Sequence, residues 1–521
     1  MYFLGGINLS KNHKKSKKLI RQPNELISID RKKCIACTAC AINCTKLTNI
    51  SVLKLNNPNK KYTIPKERNF NNSGCIYCGQ CTLLCPTGSI DAENSTNKII
   101  AAKESNKYMV AIFAPSVKAT LGEEFNLPIG TNVSEKLVPS AKALGFKKVF
   151  TTDFGADLTV VEEAKELFKR ITRAGVLPMF TSCCPSWIKW VERFKPELLP
   201  CISTCKSPQQ MIGATIKTYF AKIKGIPPEN IFIASIKPCT SKKFEAKRPG
   251  MGRNNYFDID AVLTVREYAK FLKENSIDIN TLKPENPDTL LGEYSGAGNL
   301  FGSSGGVLKS TLRTLYYYFN NKNPDLTNNI NLVDLNGFPG VKVVNYNING
   351  SIIKTAAISG ISNLIKFLDS GLWINYHFIE VMACPGGCIN GGGTPKVSKK
   401  DRVNEKLCIS CGTCINNCPV NAINFNSKNI AEISINKCVG CTLCSNLCRS
   451  NAISVDYYDK STNSLLETNY IALRKFVLEE IDLKSEIRFS HENKDIQTLY
   501  NLYLGEVGGL KAEKFLHIKY T

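Results

Sequence analysis

Four cysteine runs that share one spacing constrain this chain more than any other feature of its sequence. Each run has the form C-x2-C-x2-C-x3-C, and the 521-residue chain contains 23 cysteines in all. The runs are Cys34, Cys37, Cys40 and Cys44; Cys75, Cys78, Cys81 and Cys85; Cys408, Cys411, Cys414 and Cys418; and Cys438, Cys441, Cys444 and Cys448. Disulfide frameworks are typical of short secreted chains, so thiols grouped this tightly in a long chain indicate metal binding.

The spacing predicts 4Fe–4S cubanes in pairs, as in bacterial ferredoxins. Three thiolates on a tight loop reach three irons of one cubane, and the fourth cysteine of each run serves the neighbouring cubane. The expected ligand sets are Cys34, Cys37, Cys40 and Cys85; Cys75, Cys78, Cys81 and Cys44; Cys408, Cys411, Cys414 and Cys448; and Cys438, Cys441, Cys444 and Cys418. The alternative, structural zinc, uses paired C-x2-C motifs instead of triplets. Four accessory cubanes in two pairs predict an electron relay.

The composition and hydrophobic pattern of the sequence divide the chain into five parts. We expect a basic tail over residues 1–26, a two-cluster ferredoxin-like domain over 27–107 and an α/β domain over 108–398. We expect a second two-cluster ferredoxin-like domain over 399–458 and a helical tail over 459–521 that packs on the α/β domain. Buried strands are predicted at 108–114, 148–152, 176–182, 230–238 and 378–385, and helices at about 134–145 and 157–174. Their alternation is typical of an α/β domain.

The formal net charge of +23 suggests a nucleic-acid ligand at first sight. That figure counts every cysteine as neutral, and five thiolate-bound cubanes would remove roughly 10 units of positive charge. A basic docking surface for an acidic electron carrier explains the excess equally well, so we expect no nucleic-acid partner. No apolar stretch approaches the roughly 20 residues that span a bilayer, and we expect a cytoplasmic protein without a membrane span.

Five further cysteines lie in three unusual segments of the α/β part. The segments are Thr181–Trp187, with Cys183 and Cys184; Pro238–Glu245, with Cys239; and Glu380–Gly393, with Cys384 and Cys388. Each follows an apolar strand, and α/β proteins usually build their sites on loops at strand ends. Four thiolates from three loops suffice for one more cubane. The glycines of the third segment would let the backbone approach a bulky inorganic group closely.

In order, these segments resemble the three signature motifs of the iron-only (FeFe) hydrogenases. The resemblance extends from about residue 27 to 398 and resumes at Ser490–Asn493 in the tail. It implies a two-lobed α/β catalytic domain of the H-cluster type, accompanied here by two α+β ferredoxin-like modules. It also implies an H-cluster, in which a 4Fe–4S cubane is joined to a di-iron unit carrying CO, cyanide and a bridging dithiolate. The matching cubane ligands are Cys184, Cys239, Cys384 and Cys388, and Cys388 matches the bridge.

The resemblance assigns roles to other positions. Lys242 matches a lysine that hydrogen-bonds a cyanide, and Ala114 and Pro115 match the loop over the di-iron unit. Further lining positions are Ser116, Ser207, Gln209, Phe301 and Met382. Cys183 matches a thiol that passes protons to the amine of the bridging group, and the matching path continues outward through Glu163, Ser203, Glu166 and Arg170. Glu163, Glu166 and Arg170 are spaced i, i+3 and i+7, which places them on one face of a helix.

Three features depart from the family pattern. Lys237 stands where active members usually carry a methionine, and a second cation there would change the local electrostatics. Pro385 and Thr394 replace a common histidine and glutamine. The second ferredoxin-like module lies between the third motif and the tail, and we hypothesise that it is a second electron entrance or exit.

The resemblance implies a hydrogenase that interconverts protons plus electrons with H2 and exchanges electrons with ferredoxin or a similar acidic carrier. It also implies dedicated maturation proteins and an oxygen-avoiding cell. Two alternatives stay open: a hydrogen-sensing or low-activity regulatory relative, and a non-catalytic iron–sulfur assembly or electron-transfer protein. The retained Cys183 and the complete proton path favour the enzyme.

Overall fold

A computed structural model describes residues 26–56, 62–67, 69–253, 255–326 and 330–521. Apart from Leu26, the basic tail expected over residues 1–26 therefore lies outside the described residues. Within the described ranges, no helix combines the length and the apolar character needed to cross a membrane.

The N-terminal module is a small α+β unit wrapped around the first two cysteine runs. Its elements are β1 (Ile27–Ile29), α1 (Ala39–Thr48), β2 (Leu53–Leu55), β3 (Thr63–Pro65), α2 (Gln80–Leu84), β4 (Ile90–Ala92) and α3 (Thr96–Glu104). β1 and β4 pair antiparallel, with Ile27 opposite Ala92, and so close the module around its own apolar core. The first helix of each run begins within the run itself, after the second cysteine.

The α/β part follows in alternating strands and helices. Its elements are β5 (Tyr108–Phe113), α4 (Pro115–Lys118), α5 (Ser134–Ala143), β6 (Lys148–Thr151), α6 (Thr152–Thr172), β7 (Met179–Phe180), α7 (Pro185–Phe194), α8 (Pro208–Thr215), α9 (Ala221–Lys224), β8 (Ile231–Lys237), α10 (Ser241–Glu245), β9 (Gly252–Arg253), β10 (Tyr256–Phe257), β11 (Ala261–Thr264), α11 (Val265–Glu274), α12 (Gly296–Asn299), α13 (Gly306–Asn320), β12 (Val333–Asp334), β13 (Val341–Ile348), β14 (Ser351–Ser359), α14 (Ile361–Asp369) and β15 (Phe378–Met382). Short 3-10 or π segments occupy Leu121–Phe125, Pro196–Cys201, Ile216–Phe220, Pro228–Asn230, Ile279–Thr281, Leu300–Gly302, Leu372–Asn375 and Cys388–Asn390.

Two sheets divide this part into two lobes. The first sheet has the order β11-β8-β5-β6 and is parallel throughout, whereas the second has the order β12-β13-β14-β15-β7 and is parallel from β14 onward. The parallel strands β5, β8, β11 and β15 are apolar and buried along nearly their whole length because helices cover both faces of such sheets. The long helix α6 packs against α8 and α13 and so joins the lobes. The predicted α/β class is thus confirmed.

One predicted strand is much shorter than expected. The apolar stretch 176–182 forms a strand only at Met179–Phe180. Pro178 has no N–H to donate to a neighbouring strand, and Val176 is 50% exposed. The other predicted strands and both predicted helices appear with their ends shifted by up to five residues.

The second ferredoxin-like module and the tail complete the chain. The module consists of β16 (Ser398–Val403), α15 (Thr413–Asn416), β17 (Ile423–Phe425), β18 (Ala431–Ile433), α16 (Leu443–Leu447) and β19 (Ile453–Tyr458), and β16 and β19 pair antiparallel with Ser398 opposite Tyr458. The tail contains α17 (Tyr470–Lys484), α18 (Lys494–Leu499), α19 (Leu510–Leu516) and the short segments Ser490–Glu492 and Tyr500–Leu504. The buried Arg474 ties α17 to the α/β part through an ion pair with Glu123 at 2.6 Å.

Candidate active site

A cavity lies where strands of the two sheets end. Cys239 follows the last residue of β8 by two positions and Cys384 follows β15 by two, while Cys183 and Cys184 follow β7. These loops come from different lobes and meet because the carboxyl ends of parallel strands share one edge of each sheet. The predicted residues that line the cavity are Ala114, Pro115, Ser116, Cys183, Cys184, Gln209, Lys237, Cys239, Lys242, Phe301, Met382, Cys384 and Cys388.

The chemistry of this cavity fits a bulky iron–sulfur group. Burial and the charge of the neighbouring cysteines raise the pKa of Cys388 to about 12, so these thiols need a metal to be held as thiolates. The Ser116 hydroxyl, which lines the cavity, is buried and has no hydrogen-bond partner among the described residues. Gly387 has a φ of +96°, and a Cβ there would lie 2.5 Å from the Ser304 nitrogen. A glycine at this position therefore lets two backbone segments of the cavity wall pack closely together.

A hydrogen-bonded group holds Lys242 at the wall of the cavity. The Lys242 ammonium donates to the Cys183 carbonyl at 3.0 Å and forms an ion pair with Glu245 at 3.0 Å. Ser207 and Gln209 also donate to Glu245, at 2.9 and 3.1 Å. Although burial disfavours the ammonium, the Glu245 charge outweighs it and raises the pKa of Lys242. Ser207 does not line the cavity; it lies behind it and fixes Glu245.

The unusual Lys237 is the last residue of β8 and points into the same cavity. Its ammonium donates a short hydrogen bond to the Thr152 hydroxyl. Burial, with the positive charge of Lys242, holds the pKa of Lys237 well below its ordinary value. A polar, ionisable group thus faces the site where the family pattern expects a thioether.

The five residues of the predicted proton path lie close together between the cavity wall and the surface of α6, although both carboxylate oxygens of Glu163 are without a hydrogen-bond partner among the described residues. Cys183 lies close enough to Glu163 that burial and the carboxylate charge both raise the pKa of the thiol. Burial and the charge of Glu166 raise the pKa of Glu163 to about 8. Ser203 donates to Glu166 at 2.9 Å, and Arg170 donates to the other oxygen of Glu166 at 2.6 Å. The five residues form a row of groups that can hold protons.

Sequence reasoning missed several polar residues around this row. His517 contacts Thr204 at 2.8 Å and Glu162 at 3.0 Å, and Thr204 in turn donates to Glu166. Glu380 accepts from the backbone of Gly305 at 2.7 Å and so fixes the start of α13. Glu245 had a local signal, because it follows Lys242 by three positions, which places it on the same face of a helix. His517 had none, since its partners are distant in sequence.

The accessory cysteines also converge. Cys44, Cys75, Cys78 and Cys81 line one cavity, and Cys408, Cys411, Cys414 and Cys448 line another. Cys37 and Cys40 have Cys85 as an electrostatic neighbour, while Cys418 packs in the same core as Cys444. In every run, the residue before the second cysteine has a positive φ: +56° at Ala36, +56° at Tyr77, +55° at Ser410 and +63° at Gly440. This left-handed residue makes the tight turn that brings three thiols together.

Family comparisons agree with this geometry. Residues 107–392 match the model "Iron only hydrogenase large subunit, C-terminal domain". The chain belongs to the iron-only hydrogenase family. Residues 468–521 match the iron hydrogenase small subunit, and residues 33–89 and 401–455 each match a 4Fe-4S dicluster domain. The H-cluster and accessory iron–sulfur clusters are therefore the cofactors that these cysteines serve.

Individual relatives place the chain among the hydrogenases. It is 40% identical to iron hydrogenase 1 of Clostridium pasteurianum over 73% of this chain and 67% of that protein. It is 39% identical to the NADP-reducing hydrogenase subunit HndD of Solidesulfovibrio fructosivorans over 70% of this chain and 64% of that one. The cytosolic Fe-S cluster assembly factor narfl of Danio rerio is 32% identical over 64% and 84%.

A solved structure of FeFe-hydrogenase HydA1 from Chlamydomonas reinhardtii has a similar fold. It superposes with a TM-score of 0.61 at 29% identity and covers 82% of this chain and 98% of that one. The chain thus spans about two thirds of the length of the two bacterial relatives and nearly all of the algal one.

Proposed function

We propose that this hydrogenase-family chain catalyses the reversible conversion of two protons and two electrons into H2. The observation that carries the proposal is the position of Cys183. This thiol lines the cavity of the ligand cysteines and is also the electrostatic neighbour of Glu163. A proton path therefore meets the cofactor cavity at one side chain.

The bound H-cluster supplies the redox chemistry that forms and breaks the bond of H2. Cys184, Cys239, Cys384 and Cys388 would hold it, with Cys388 also reaching the di-iron unit. Lys242 would donate hydrogen bonds to its anionic groups from the position fixed by Glu245.

Apolar and backbone groups exclude water from the remaining wall. Ala114 and Pro115 come from the end of β5, and Phe301 and Met382 pack together in one buried core. These residues keep the cavity dry, so protons enter by way of the titratable side chains.

The chain moves protons along α6. Glu166, paired with Arg170 at 13–14% exposure, exchanges protons with water, and the Ser203 hydroxyl, which donates to Glu166, lies beside Glu163. A carboxyl group with a pKa of about 8 is present in both protonation states near neutral pH, as a proton relay requires. Cys183 then delivers the proton into the cavity.

We further propose four accessory 4Fe–4S clusters with the ligand sets given above, in ferredoxin-like modules over 27–107 and 399–458. The catalytic domain would cover 108–398 and the small-subunit-like tail 459–521. The redox partner would be ferredoxin or a similar acidic carrier, and dedicated maturation proteins would install the di-iron unit. The support is the convergence of the cysteines in each module.

The test is hydrogen evolution from reduced viologen by anaerobic protein loaded with the di-iron unit. We expect the Cys183→Ala variant to lose about 10²- to 10⁴-fold in turnover, the range of a positioned proton-transfer group. Cys201→Ala is the matched control, because Cys201 is only partly buried and lies away from the cavity. Equal turnover in the two variants would contradict the proposed path.

One observation favours a second candidate, hydrogen sensing at low turnover. Lys237 places a buried amine in the cavity beside Thr152. The sensing function would be assigned if fully loaded wild-type protein evolved hydrogen slowly and the Lys237→Met variant evolved it faster. High wild-type turnover would assign the enzyme.

A further inference from the structure

The N-terminal module and the second ferredoxin-like module, which are far apart in sequence, contact each other through their cysteine loops. Cys441, in the second module, and Cys37, in the first, lie in the same apolar cluster, and both residues are about 92% buried or more. Ala39 and Leu443 pack around this contact in one apolar cluster. Lys46 donates to Asn446 at 2.6 Å beside it. Ligand residues of two different predicted cubanes are therefore in direct contact.

The inner end of the N-terminal module makes a second contact of this kind. Cys78 is an electrostatic neighbour of both Cys239 and Cys384 of the central cavity. Thr240 donates to the Tyr77 carbonyl at 2.5 Å, and a Cβ on Gly392 would lie 2.5 Å from the Cys78 carbonyl oxygen. The loop of the second run is thus pressed against the loops that hold the H-cluster.

The outer end of the second module is open to solvent. Cys411 is exposed, unlike Cys37 and Cys441. Leu407, Ile409 and Phe425 surround its loop at 48%, 64% and 41% exposure. Exposed apolar side chains grouped in this way on a protein surface are typical of an interaction site.

The charges around this patch are mainly positive. Arg449 lies near enough to act on the Cys411 thiol, and Lys406 and Lys428 are exposed beside it. Glu405 and Glu432 are nearby acids, and the pair of Glu405 with Lys428, at 3.8 Å, is loose and solvated. An apolar centre with a basic rim complements an acidic protein that presents an apolar face.

We infer that the second module is the outer half of one series relay, and that a small acidic one-electron carrier protein docks on the Leu407, Ile409 and Phe425 patch. This inference rests on the proposed function and deepens it. Each encounter passes one electron: the carrier is oxidised by one electron and the cluster held by the Cys411 loop is reduced by one, with no bond made or broken. The electron then moves past Cys441 and Cys37 toward Cys78 and the cavity. The module is therefore an extension of the first entrance and not an independent second one.

The docking test uses the full holoprotein and a reduced bacterial two-cluster ferredoxin as the probe. Stopped-flow absorbance measures the rate at which the protein oxidises the probe. We expect Ile409→Glu to lower this second-order rate constant about 10-fold or more, the effect of one well-placed interface residue. Ile374→Glu is the matched control, because Ile374 is also 64% exposed but lies on the α/β part. Equal rates in both variants, or no oxidation of the probe by the wild type, would overturn the inference.

The series order has its own readout. After rapid mixing of Cys441→Ala with reduced ferredoxin, freeze-quench electron paramagnetic resonance should show reduction at the outer cluster and none in the N-terminal module. Reduction of the N-terminal clusters at the wild-type rate would overturn the series order. Should Cys441→Ala fail to fold, Ile409→Glu decides the matter, because it slows the reduction of all clusters only in a series relay. Viologen-driven hydrogen evolution reports on the proposed function separately, so the two failures are distinguishable.

Discussion

The two ferredoxin-like modules share a cysteine spacing and the same left-handed turns, yet they occupy different environments. In the N-terminal module, Phe70 is 1% exposed and Tyr77 is 3% exposed, and the module packs between the second module and the central cavity. In the second module, Phe425 and Ile409 face solvent at 41% and 64%. One motif thus serves as an enclosed link in one place and as a surface for exchange in the other. The difference is set by what packs around the loops and not by the loops themselves.

The most severe test removes one ligand from each module. Cys78→Ala should abolish hydrogen evolution with both viologen and ferredoxin, because every electron must pass the loop beside the cavity. Cys414→Ala should impair evolution from ferredoxin and spare evolution from viologen, since a small dye reaches clusters further along. Gas chromatography of H2 measures both, with iron content as the control. An equal loss with both donors in Cys414→Ala would show that the modules are not arranged inner and outer.

Core packing gives the next largest contrast. Phe70→Ala empties a buried position of the N-terminal module and should destabilise it by about 3–5 kcal/mol. Phe425→Ala truncates an exposed ring and should change stability by no more than about 0.5 kcal/mol. Anaerobic thermal loss of the visible iron–sulfur absorbance compares the two. Similar midpoints would mean that the Phe425 patch is covered in solution.

A chelator should remove iron from the second module before it removes iron from the N-terminal module. A chelator reaches the cluster of the exposed Cys411 first and the clusters enclosed around Cys37 and Cys78 later. Iron release with chelator under anaerobic conditions should therefore be biphasic, with ferredoxin-driven evolution lost in the fast phase. A single phase that removes both activities together would contradict the difference in exposure.

The smallest effects are expected at matched turn positions. Ala36 and Gly440 both have a left-handed φ, at +56° and +63°. Such a conformation costs a residue with a Cβ about 1–2 kcal/mol. Ala36→Gly removes this cost but increases the conformational entropy of the unfolded chain, so its net effect on stability should be near zero. Gly440→Ala should cost more, because its Cβ would lie 2.1 Å from the Lys399 carbonyl oxygen. Cluster-specific thermal bleaching measures both, and equal costs would refute the role of the Lys399 contact.

Local patterns made much of this molecule predictable. The cysteine spacing specifies the loop, and the loop specifies which thiols converge, so Cys44 and Cys448 were placed with their partners from sequence alone. Lys237 was predicted to lie beside the cofactor because it matches a family position usually occupied by methionine, and it ends β8 two residues before Cys239. In both cases the relevant contact is fixed within a few residues of chain.

Long-range contacts set the limit of prediction. The meeting of Cys37 with Cys441 joins segments about four hundred residues apart, and no pattern in either segment indicates it. Whether the second module is a second electron entrance or exit, as hypothesised from the sequence, depends on the role of that contact. His517 was likewise placed near Glu166 only by the packing of the tail against α6. Ser207 had the right residue type, but its side chain turned to Glu245 behind the wall.

The pairing of Ser398 with Tyr458 has a consequence for how such proteins diversify. The chain enters and leaves the second module at directly opposed positions of one two-stranded ribbon, so the two covalent connections of the module lie side by side. A genetic event that adds, exchanges or deletes the module leaves the geometry of both stems unchanged. The length of the electron relay and the identity of its redox partner can therefore vary between related proteins while the catalytic cavity stays unchanged.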